Sequence, residues 1–130
     1  MEISSILKTT KLGLDIYFHR KRTREIGYFR KVNFLVKFFE ERGFSREWRA
    51  VKVTLDDVEE LLEACKQVLA DHSKAEELLP TCDGFFFGST DYDEWYFDDV
   101  KEVKEFCENE LIPHLQTLDE DEEIEFTISY

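Results

Sequence analysis

Apolar residues recur at three- and four-residue intervals in several stretches of the chain and alternate with polar residues in others. The clearest run is Leu55, Val58, Leu61, Leu62, Cys65, Val68 and Leu69. This spacing predicts a helix ending near Asp71-His72, with Asp56, Glu59, Glu60 and Glu63 on its outer side and Cys65 as a small core residue. Thr54 and Asp57 have the spacing of a capping box at its start. Residues 25–42 read as a second helix, with Tyr28, Phe29, Val32, Leu35, Val36 and Phe39 forming the core stripe and Gly43 ending it. Phe34 and Phe38 fall on another flank of that helix. A covering loop is expected there, and a partner-binding patch is the alternative. A third helix is expected from Asp91 to about Leu111, where Ile112-Pro113 should break or kink it. Asp99 and Glu110 interrupt its apolar side, while Glu94, Asp98, Glu102, Glu105 and Glu108 line the other.

Strict alternation marks strands. Leu14, Ile16 and Phe18 alternate with Asp15 and Tyr17 over residues 13–19; Val51 and Val53 flank Lys52; Ile124, Phe126, Ile128 and Tyr130 alternate with Glu125, Thr127 and Ser129. Lys74 to Leu79 allows one or two helical turns before Pro80, and Trp48 reads as a lid on the core. The resulting order predicts an α+β fold, with about three main helices packed on a small mixed sheet of about four strands. A single domain over residues 1–130 is expected, with residues 1–11 as a loose arm.

The densest signals lie between Leu79 and Tyr96. Asp83-Gly84 is turn chemistry, Phe85-Phe86-Phe87 reads as a short buried strand, and Gly88 releases the chain. Thr90 with Asp93, or Asp91 with Glu94, has capping-box spacing.

The motif Gly84-Phe85-Phe86-Phe87-Gly88-Ser89-Thr90-Asp91-Tyr92-Asp93-Glu94, preceded by Leu78-Leu79-Pro80-Thr81, resembles one found in small acidic proteins encoded in phage and prophage genomes. Gly13-Leu14-Asp15-Ile16-Tyr17 and Tyr28-Phe29-Arg30-Lys31-Val32-Asn33 resemble segments of the same family. The likeness spans roughly residues 12–107 with long gaps. It implies a phage-type source and a fold, and no mechanism. Cys82-Asp83 departs from the small polar residues expected at that position, so the resemblance assigns Cys82 no role.

Charge sharpens the picture. The net charge is −13, yet residues 1–52 hold 13 Lys and Arg against 6 Asp and Glu, leaving 4 against 24 in the remainder. The basic N-terminal part can pack beside the acidic remainder, or an acidic face can be offered to a basic partner. The basic run His19-Arg20-Lys21-Arg22-Thr23-Arg24 lacks interleaved aromatics and reads as a solvated connection; no direct nucleic-acid binding is expected. Three cysteines, Cys65, Cys82 and Cys107, suit neither a disulfide framework nor a metal site, which favours a reducing compartment, here a host-cell cytoplasm. No signal peptide or membrane segment is expected.

Enzyme readings find little support. His19, His72 and His114 are scattered; Asp91, Asp93 and Glu94 lack the spacing of a calcium loop; carboxylates at the third helix start oppose phosphate binding. No catalytic residue, metal or cofactor is expected. Two functions stay open. In the first, favoured, Glu94, Asp98, Glu102 and Glu105, with residues 119–125, form an acidic face for a basic host protein. In the second, a pocket between the helix expected over residues 25–42 and the motif at 84–95 binds a small molecule, with Arg30, Asn33 and Lys37 facing Ser89, Asp91, Asp93 or Glu94.

Overall fold

A computed structural model describes residues 13–20, 24–84 and 86–130. The expected arm over residues 1–11, the middle of the basic run at 21–23 and Phe85 lie outside the described residues. The elements are β1 (Asp15–Arg20), β2 (Arg24–Arg30), α1 (Asn33–Glu40), β3 (Ala50–Val53) and α2 (Leu55–Ala70). A 3₁₀ turn (His72–Lys74) and α3 (Ala75–Leu78) follow, then α4 (Glu94–Phe106), a π turn (Cys107–Leu111), α5 (Ile112–Gln116) and β4 (Ile124–Ser129).

The strands form one sheet in the order β2-β1-β4-β3. The fold is α+β as expected, but every neighbouring pair is antiparallel rather than mixed. β1 and β3 run in the same direction, and β4 inserts between them, so no parallel pair forms. The inner face carries Ile16 and Phe18 opposite Ile128 and Phe126, with Val53 opposite Ile124, all buried. Phe18 sits among Phe29, Phe39, Phe106 and Phe126, and Phe39 stacks on Phe126 with ring centroids 4.3 Å apart. Each such side chain contributes roughly 1.5–3 kcal/mol through removal from water. On the outer face, Tyr28 donates to Asp15 Oδ1 at 2.6 Å and Arg30 donates to the same oxygen at 3.0 Å. Among the described residues, the helices pack on the inner face of the sheet.

Local signals are honoured where they act within one element. Thr54 accepts from the Asp57 amide at 3.1 Å to cap α2, and Cys65 is fully buried. α4 starts at Glu94, later than expected, because Asp93 is the residue that caps it by accepting from the Tyr96 amide at 3.1 Å. Pro113 does not end the helical rod. The preceding π turn changes the hydrogen-bond register, so the missing proline N–H falls at the start of α5 and the rod continues to Gln116.

Three expectations give way. The helix expected over residues 25–42 is split into β2 and α1, because β1 offers an open edge that residues 24–30 complete as a hairpin. Gly27 disfavours a helix there, and Phe106 presses on the space a Cβ would take. Phe34 and Phe38, by contrast, are covered as expected rather than exposed as a patch, Phe34 against the Tyr96 ring at 5.5 Å and Phe38 beneath the Arg42 guanidinium at 3.6 Å. Phe86 and Phe87, the described part of the phenylalanine triplet, do not form a strand. Phe86 adopts φ +61°, the Phe87 amide closes a turn onto the Gly84 carbonyl at 3.1 Å, and only Phe87 of the described pair is buried. Trp48 is no lid, being 79% exposed; Phe44 fills the core position instead and packs on Phe126 at 5.0 Å.

Candidate binding cleft

A cleft of about 220 Å³ opens where the β2–α1 corner, the loop before α4 and the first turns of α4 meet. The corner exists because Lys31 takes a left-handed conformation (φ +59°), turning the chain from strand to helix in one residue while its amide donates to the Leu14 carbonyl at 2.7 Å. Gly88, at φ +88°, lies directly against it: a Cβ at Gly88 would sit 3.2 Å from Lys31 Cβ. A side chain at 88 would be both strained and crowded.

Asn33 holds the opposite loop. Its buried amide donates to the carbonyls of Phe87 at 3.2 Å and Ser89 at 2.9 Å, while its Oδ1 accepts from the Cys82 amide at 3.3 Å. Thr81 adds a bond to the Thr90 carbonyl at 2.9 Å, and Tyr96 donates to the Leu79 carbonyl at 2.8 Å. These contacts fix the loop over residues 81–93 on α1 before α4 begins, so the cleft walls are held together by hydrogen bonds between segments distant in the chain.

The walls differ in charge. Arg30 and Lys31 stand on the β2–α1 side, and Asp91, Asp93 and Asp99 on the other, with Trp95 beside them. Arg30 is held by Asp15, and Asp93 is committed to capping α4. Asp99 is half-buried and makes no hydrogen bond or ion pair among the described residues. Desolvation first, and then the neighbouring Glu102, Asp98 and Asp93 carboxylates, push its pKa up to about 6. Trp95, one helical turn before Asp99, is 72% exposed.

Of the residues singled out in the sequence, Arg30, Asn33, Ser89, Asp91 and Asp93 line this cleft. Lys37 does not; it faces Glu41 on α1 at 3.8 Å. Glu94 is exposed at the start of α4 and is not part of the lining, and Asp98, Glu102 and Glu105 are exposed farther along α4. Glu122, within the acidic block, is turned inward to accept from Arg20 Nε and Nη2, each at 3.1 Å. Sequence reasoning missed Lys31, Trp95 and Asp99 as cleft residues. The carboxylate of Asp99 falling inside the apolar arc of α4 was the available signal.

Burial pushes the thiols of Cys65, Cys82 and Cys107 up, that of Cys107 to about 12. Among the described residues, no group of three or more His, Cys, Asp and Glu side chains is arranged to hold a metal ion, and no helix is long and apolar enough to cross a membrane. No protein-family model, curated protein or solved structure is significantly similar to this chain.

Proposed function

We propose that this chain is a phage-type acidic interaction protein that binds a basic host protein through the outward face of α4, in the host cytoplasm. The observation that carries this reading is Trp95, an indole 72% exposed among carboxylates. Residues 91–108 hold eight Asp and Glu against two Lys. At helical spacing, Trp95, Asp98, Asp99 and Glu102 share one side of α4, with Glu105 at its margin. Large exposed aromatics set in a charged rim are the residues that anchor protein interfaces, while the surrounding charge steers the partner.

Capture from host lysate tests it. The tagged protein should retain a basic protein at low salt and release it at about 1 M salt, where screening shortens to about 3 Å. Trp95→Ala and the double variant Glu102→Lys with Glu105→Lys should each abolish capture. Retention that is indifferent to salt and to these variants would count against the reading.

A second reading, a small-molecule site, is favoured by one feature: Asn33 fixes the cleft loop in advance of any ligand. A thermal-shift screen with Arg30→Gln as the control would support it through a compound that stabilises the parent chain and not the variant.

A further inference from the structure

We infer that the cleft is a socket for one basic side chain, a lysine or arginine presented by the partner, whose stem lies along Trp95 and whose charged head meets Asp99. This rests on the reading of α4 as the partner-binding face and adds the chemistry of its central contact.

Size is the first consideration. At about 220 Å³ the cleft falls below the ~300–1,000 Å³ typical of sites that enclose a whole small molecule, and suits a single inserted side chain. Lining is the second. Phe34, Tyr96 and Trp95 supply apolar and aromatic surface against which a flexible methylene stem or a guanidinium plane can lie. The polar ends of the buried rings are accounted for, since Tyr96 already donates to Leu79. Charge is the third. Asp99 is a half-buried carboxylate that makes no ion pair or hydrogen bond among the described residues and is crowded by Glu102, Asp98 and Asp93. A cation entering beside it relieves that crowding. Asp91 and Asp93 face the same space, and on the far wall Arg30 is engaged by Asp15, leaving Lys31 as the cation that opposes entry.

The test uses the full chain carrying Trp48→Phe, so that its single remaining indole is Trp95, whose N–H resonance is followed by NMR. The probes are N-acetyl-Gly-Gly-Xaa-Gly-Gly amides, which carry no terminal charge, with Xaa lysine, arginine, norleucine or citrulline. Lysine or arginine peptide should shift the Trp95 resonance saturably, and the neutral isosteres should not. Asp99→Asn should weaken binding about tenfold at about pH 7.5, as expected for loss of one charge-assisted contact. In the parent chain, binding should weaken about fivefold or more between about pH 7.5 and pH 5 as Asp99 takes up a proton, and the variant should lose that dependence. Lys31→Gln should tighten binding, whereas a ligand held by its negative group would be weakened.

Equal binding of the norleucine or citrulline peptide overturns the inference, as does unchanged affinity in Asp99→Asn or the absence of any saturable shift. Salt-sensitive capture of a basic protein with no peptide response would remove the socket and keep the acidic-face reading. Peptide binding without any captured partner would remove that reading and keep the socket.

Discussion

The side-chain amide of Asn33 donates to the backbone carbonyl of Ser89 at 2.9 Å across 56 residues of chain, joining the first residue of α1 to the loop that leads into α4. Two further bonds from the same side chain reach Phe87 and Cys82. One buried residue thus sets the distance between the two cleft walls.

Asn33→Ala should be among the most damaging polar substitutions in the chain. Removing the amide strands the buried Phe87 carbonyl and the part-buried Ser89 carbonyl and Cys82 N–H, which predicts a loss on the order of 2 kcal/mol in urea unfolding. Asn33→Asp should not rescue it, because a carboxylate cannot donate to the Phe87 and Ser89 carbonyls.

Thiol labelling offers a local readout of the same contact. In the native chain Cys65 and Cys107 are fully buried and should resist a thiol reagent, and Cys82 should react slowly because burial pushes its pKa up. Asn33→Ala releases the Cys82 amide and should accelerate labelling of Cys82 alone.

Gly27 tests the packing of α4 on the sheet. A Cβ there would overlap the edge of the Phe106 ring at its Cζ, so Gly27→Ala should cost roughly 1–3 kcal/mol. Adding Phe106→Leu should recover part of the loss, and a strictly additive double variant would show that the two residues do not meet.

Asp99 predicts an unusual pH dependence. Its folded pKa, about 6, lies above the ordinary value of 3.8. Its contribution to stability is therefore greatest below that ordinary value and is lost as pH rises through about 6. Asp99→Asn should stabilise the chain at about pH 7.5, on the order of 1 kcal/mol after allowing for solvent screening of a half-exposed group, and should make no difference near about pH 3.5. Denaturant midpoints at the two pH values measure this directly.

Trp95→Ala should separate folding from binding. An indole that is 72% exposed contributes little to the core, so its removal should change stability by no more than about 0.5 kcal/mol. A large loss of stability would place the side chain in the fold rather than at an interface.

The sequence by itself determined the elements whose signals act within a turn or two. α2 follows from its unbroken apolar spacing and the Thr54 cap, and β4 from its alternation, because a helix stripe or a strand face is written into neighbouring residues. It also marked the break before α4, although Asp93 rather than Asp91 took the capping position. Only the tertiary structure decided β2. Tyr28 and Phe29 fit a helical stripe as well as a pleat, and the open edge of β1 selected the pleat. The same holds for the cleft. The expected pocket already grouped Arg30 and Asn33 with Ser89, Asp91 and Asp93, while Lys31, Trp95 and Asp99 join them through a left-handed corner and long-range bonds from Asn33. Contacts between residues more than fifty positions apart leave no local period in the chain, so the site became readable only when the chain closed on itself.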